Sequence, residues 1–111
     1  MGLVVVREIR QFEIFWVDLD PTKGKEIAKK RPCVIISPNE LNYLQTRLIA
    51  PITSKGFSAP FRVDFNLEGR NARILCDQIR CVSVDRFLDK ICDLEPKIQE
   101  KLKAILAEMF A

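Results

Sequence analysis

Apolar and polar positions along the chain fall into short runs that predict strands, closed by one longer helical pattern. From Glu13 to Leu19, EIFWVDL, aromatic and β-branched residues alternate incompletely with polar ones, which predicts a first strand with one wet face. Asp20-Pro21 signals a turn, and from Pro21 to Arg31 no periodicity survives; a loop of this length in a compact domain is either functional or disordered, and we read it as functional. PCVIIS, Pro32 to Ser37, is apolar and β-branched, as in a strand buried on both faces. SPNELNYL then offers Ser37 as a cap and Pro38 as the first residue of a helix of a turn or two. RLIAPIT gives a third strand ending at Thr53, SKGFSAP a Gly/Ser/Pro loop, FRVDF a fourth strand, and Gly69 and Asn71 mark a turn. ARILCDQIRCVSV reads as a fifth strand whose polar Gln78 and Arg80 predict a bend or bulge in its middle. Beyond Pro96, Ile98, Leu102, Ile105, Leu106 and Met109 recur at helical spacing, with Lys97, Glu100, Lys101 and Glu108 outside that stripe.

Five strands and a terminal amphipathic helix predict a mainly β, α+β domain over residues 1–111, its antiparallel sheet curled into a partly closed barrel that removes exposed edges. No window approaches the ~18 consecutive apolar residues of a membrane span, and the apolar stretch in MGLVVVREIRQF is too short for a secretory signal, so the expected location is the cytoplasm. A net charge of +3 is compatible with a polyanionic partner without requiring one. With no histidine in the chain, serine–histidine triads and histidine–metal sites are excluded. Cys33, Cys76, Cys81 and Cys92 lack C-x-x-C spacing and read as free, mostly buried thiols.

Three motifs in order, FWVDLDPTKGKEIAKKRPCVIISP, IAPITS and LCDQIRCVSVDR, resemble the MazF/PemK (Kid) family of toxin endoribonucleases from type II toxin–antitoxin systems. The resemblance spans nearly the whole chain. It implies an SH3-like β-barrel of the PemK/CcdB type with a C-terminal helix, a homodimer, a cognate acidic, partly disordered antitoxin of the MazE/PemI kind, and DNA binding together with that antitoxin. It also implies cleavage of single-stranded RNA at short sequence motifs, with neither metal nor other cofactor, by attack of a 2′-OH on the adjacent phosphorus.

Such a reaction needs a base for the 2′-OH proton, an acid for the leaving oxygen and donors for the charge growing on the phosphoryl oxygens. Arg31 suits the last role, because its planar fork binds a phosphate bidentately and Pro32 stiffens the backbone beside it; read without the resemblance, it is a surface arginine. Glu26 matches the family's acidic loop position, as base or as a partner that positions Arg31, if burial or a phosphate raises its pKa. Thr53, with Ser54 and Lys55, sits at the P-x-T-S corner, where hydroxyls and N–H groups donate to a phosphate or cap a turn.

The Kid-like branch of the family pairs the aspartate of C-D-Q with an arginine two positions earlier. Here that position is Leu75, which weakens a mechanism centred on Asp77 and leaves Asp77 and Gln78 as structural or base-contacting residues, with Arg80 as the salt-bridge partner of Asp77. Whether Glu26 or Asp77 is the base stays open at this level. Lys23, Lys25, Lys29 and Lys30 read either as a hold on the RNA backbone or as a solvated charge run. Phe57 is the favoured stacking residue and Trp16 is assigned to the core. The loops 21–30 and 54–60 are expected to flank the RNA groove and to order on binding. The competing readings are a CcdB-like non-catalytic toxin that poisons DNA gyrase, which the Glu26, Arg31 and Thr53 set disfavours, and an RNA-binding domain that never cleaves.

Overall fold

Alternation in the first strand sets the layering. In β1 (Glu13–Asp18), Ile14 points to one face of the sheet and Phe15 and Val17 to the other, and all three are buried. The computed structural model describes residues 8–24, 26, 29–56 and 58–111. Within them β1 is followed by β2 (Lys30–Ile35), β3 (Thr46–Thr53), β4 (Arg62–Leu67), β5 (Arg70–Leu75), β6 (Arg80–Ser83), β7 (Phe87–Asp93) and one helix, α1 (Pro96–Met109). The strands pair antiparallel in the order β4-β5-β3-β2-β1-β7, with β6 also on β3. The sheet is an open, mainly β half-barrel with one C-terminal helix, the class the periodicity predicts.

The helix-side core gathers Ile14, Val34, Ala50, Ile52, Val63, Ile74 and Leu94 around Leu102, against which the predicted stripe of α1 packs through Ile98, Ile105, Leu106 and Met109. On the other face Phe15, Val17, Cys33, Ile35, Ile49, Val82 and Phe87 form a second core, with the Phe15 and Phe87 rings edge to face at 5.6 Å. β2 is thus buried on both sides from Cys33 to Ile35, as its unbroken apolar run requires.

Four details differ from the sequence reading. The described residues hold seven strands where five were predicted, in part because β7 was not foreseen: its exposed Leu88, Asp89 and Lys90 break any apolar alternation, and it meets β1 through bulges. The stretch 72–84 is two strands on one edge of β3, parted by a single 3-10 turn at Cys76–Gln78. Ser37 is not a helix cap. It is buried, and its Oγ accepts the Leu48 N–H at 3.2 Å, while Pro38 precedes a single 3-10 turn at Asn39–Leu41. Finally, Asn71 belongs to β5, and the β4–β5 hairpin turns at Glu68 and Gly69, both at positive φ, as a two-residue hairpin turn of this twist demands.

Candidate active-site cleft

β2 and β3 stay paired only as far as Cys33 and Pro51. Two residues further out on each strand stand Arg31 and Thr53, and between the two parting strands opens a cleft of about 570 Å³. Its walls include Trp16, Lys30, Arg31 and Pro32 on the β1–β2 side, and Ile52, Thr53, Ser54, Arg70 and Asn71 on the β3–β5 side. Arg31 is pinned because β2 pairs with β1 at Val17. The Thr53 hydroxyl accepts the Lys55 N–H at 3.1 Å, so the corner is an ST turn that fixes the oxygen while its proton remains a donor.

The basic loop roots beside this cleft. Leu19 N–H donates to the Lys29 carbonyl at 3.0 Å and Lys29 N–H to Asp20 Oδ1 at 2.9 Å, which closes the loop's neck. Arg86 Nη1 donates to the carbonyls of Asp18, at 3.1 Å, and Asp20, while Arg80 Nη1 reaches the Leu19 carbonyl at 3.1 Å. Three successive carbonyls are thereby held by guanidinium groups. Lys23, Glu26 and Lys29 are exposed on the loop, and the Glu26 carboxylate accepts the Lys23 N–H at 3.1 Å. Glu26 does not line the cleft that joins Arg31 to Thr53. Lys25 and Phe57 lie outside the described residues.

Asp77 is occupied elsewhere. Arg62 Nε and Nη2 grip its two oxygens at 2.9 Å each, and the hydrogen bonding from that guanidinium holds the carboxyl below its ordinary value. Its partner is therefore Arg62 and not Arg80, whose side chain turns to the loop root. Neither Asp77 nor Gln78 lines the cleft. Trp16, assigned to the core by residue type, is 43% exposed on the cleft wall. Strict alternation identifies it: Phe15, Val17 and Leu19 take one face, so Trp16 takes the other, opposite Pro32.

A second concavity of about 420 Å³ adjoins the Thr53–Ser54 corner, and Asp64, Asn71 and Arg73 give it polar walls that the sequence had not marked. Burial raises the Cys33 thiol to about 12 and the Cys76 thiol to about 11, so both stay protonated at neutral pH. Cys81, by contrast, is exposed. Among the described residues no three His, Cys, Asp or Glu side chains converge as metal ligands do, and no helix is long and apolar enough to cross a membrane.

Comparison with known proteins agrees with this architecture. The chain is 36% identical over 72 residues to the endoribonuclease toxin MazF of Escherichia coli, a match spanning 64% of this chain and 65% of the relative's length. It is 33% identical over 94 residues to endoribonuclease MazF9 of Mycobacterium tuberculosis, covering 75% of this chain and 80% of that one. Among solved structures, MazF from Deinococcus radiodurans superposes with a TM-score of 0.79 at 20% identity over 92% of this chain and 96% of its own. A mycobacterial endoribonuclease in complex with its cognate antitoxin gives 0.76 at 17% identity, covering 91% and 93%. At such identities the structures establish the fold alone. The family model for the PemK-like, MazF-like toxin of type II toxin–antitoxin systems matches residues 10–110, and the chain belongs to that family.

Proposed function

We propose that the protein is an endoribonuclease toxin that cuts single-stranded RNA without a metal ion. The observation that carries this reading is the cleft where β2 and β3 part: a guanidinium and a hydroxyl stand on opposite walls of one groove large enough for a nucleotide. The 2′-OH attacks the adjacent phosphorus, its proton passes to a base, the bond to the 5′-oxygen breaks, and that oxygen takes up a proton. The products are a 2′,3′-cyclic phosphate and a 5′-OH. The Arg31 guanidinium neutralises the phosphoryl oxygens rather than transferring protons, and the Thr53 hydroxyl adds a donor. Neither carboxylate that the motifs offer lines the cleft, Asp77 being committed on both oxygens to Arg62 and Glu26 standing on the basic loop, so neither is assigned as the base. Lys30 in the cleft, with Lys23 and Lys29 on the loop, attracts the backbone. Trp16 offers an indole face for base stacking.

The family's partners follow as part of the same reading: a homodimer, and an acidic antitoxin that covers the basic groove. A CcdB-like, purely binding role gives no account of why the arginine and the threonine share a groove. The test is to incubate the protein with a long RNA in a chelator and characterise the ends. Fragments with 5′-OH and 2′,3′-cyclic phosphate termini are expected; intact RNA would rule the reading out.

A further inference from the structure

Strand register places three polar side chains in one row beside the cleft. Thr53 is paired with Arg73 across β3–β5, and Arg73 with Asp64 across β5–β4. Directly paired residues share a face, and the flanking positions Ile52, Ile74 and Val63 all point into the helix-side core, so the row lies on the opposite, solvent-facing side. Arg73 Nε donates to Asp64 Oδ1 at 2.5 Å, and its Nη2 reaches Asp64 Oδ2 at 3.4 Å and Ser58 Oγ at 3.3 Å. Ser58 Oγ in turn donates to Asp64 Oδ2 at 3.4 Å. The ion pair is therefore fixed from two strands and a loop, and it forms one wall of the 420 Å³ concavity.

That concavity shares Thr53, Ser54, Asn71 and Ala72 with the larger cleft. An RNA strand whose phosphate rests at Thr53 leaves the cleft beside it. The occupant is not a second phosphate. The Arg73 hydrogen bond holds Asp64 ionised, and an ionised carboxylate on the wall repels a phosphate while cancelling the cation next to it. A nucleobase is neutral and carries N–H donors beside hydrogen-bond acceptors along one edge, which a carboxylate, a guanidinium and the Asn71 amide are equipped to meet. Phe65 adds apolar surface.

We infer that the concavity walled by Asp64, Asn71 and Arg73 receives the base of a nucleotide next to the scissile bond and selects which base is accepted there. The inference rests on the nuclease reading above.

The experiment maps 5′-OH ends on a long RNA cut by the wild type and by Asp64→Asn and Arg73→Gln. The expected result is continued cutting by the variants with the base preference at a single flanking position weakened about fivefold, the discrimination one net hydrogen bond supplies. Should Arg73→Gln lower the melting temperature, Asp64→Asn, at an exposed position that does not line the larger cleft, decides the matter. Variants that cut the wild-type motif with undiminished preference overturn the inference and leave the nuclease reading standing. A wild type that cuts no RNA defeats the nuclease reading itself, and this inference with it.

Discussion

Lys23 and Lys29 belong to a loop closed at its neck by backbone contacts and two arginines, and their side chains stand in water. Arg31 and Thr53 stand at the ends of strands fixed by pairing with β1 and β5, two residues past the last β2–β3 pair. The loop carries mobile charge and the strands carry aimed donors. Long flexible cations attract a polyanion over a distance that salt controls, whereas catalysis needs groups already in place when charge develops on the phosphoryl oxygens. On this comparison the loop decides how often RNA arrives, and the strand ends decide whether it is cut.

Substitutions can break that division. The largest effect is expected for Arg31→Ala, which should lower the single-turnover cleavage rate by at least ~10²-fold, because the developing charge loses its main cation. A rate within a few fold of wild type would mean the strand ends are not the catalytic element. Thr53→Ala should cost about tenfold in the same assay, the worth of one hydrogen bond to a charged group, with KM little changed. Replacing Lys23 and Lys29 together by alanine should act differently, raising KM about threefold at low ionic strength and progressively less as salt is added, with kcat preserved. A salt-independent drop in kcat would place those lysines in the chemistry instead.

The smallest expected effect concerns the Arg62–Asp77 pair, which lies away from the cleft. Because Arg62 holds the Asp77 carboxyl below its ordinary value of 3.8, the pair stabilises the fold above about pH 4, and that stabilisation is lost as pH falls through the lowered folded-state value. The Asp77 side chain is 42% exposed, so the contribution is below about 1 kcal/mol. Asp77→Asn should therefore melt slightly below wild type at neutral pH, with the gap narrowing on acidification below pH 4, as followed by circular dichroism. A gap that widens on acidification would reverse the sign of the argument.

What the sequence made legible was whatever a local period or a short ordered motif can encode. The stripe from Ile98 to Met109 announced α1, the unbroken apolar run from Cys33 announced a strand with two covered faces, and the motif order pointed to the family. Where long-range pairing decides the outcome, local reading failed. β7 is a strand because β1 offers it an edge, despite its exposed polar middle. Arg47 is buried because its guanidinium meets the carbonyls of Ile9, Asn42, Leu44 and Thr46, none of which a propensity scale can bring together. Asp77 takes Arg62 in place of the nearby Arg80 because a 3-10 turn aims its carboxylate at β4. The row of Thr53, Arg73 and Asp64 exists only through register across three strands, so none of its spacing shows along the chain.

The most direct test is a crystal structure with an RNA analogue that carries a 2′-deoxy sugar at the cut site and so binds without reacting. The expected result is a scissile phosphate between the parted ends of β2 and β3, within hydrogen-bond distance of both the Arg31 guanidinium and the Thr53 hydroxyl. A phosphate seated on the loop lysines, with Arg31 and Thr53 out of its reach, would contradict the account.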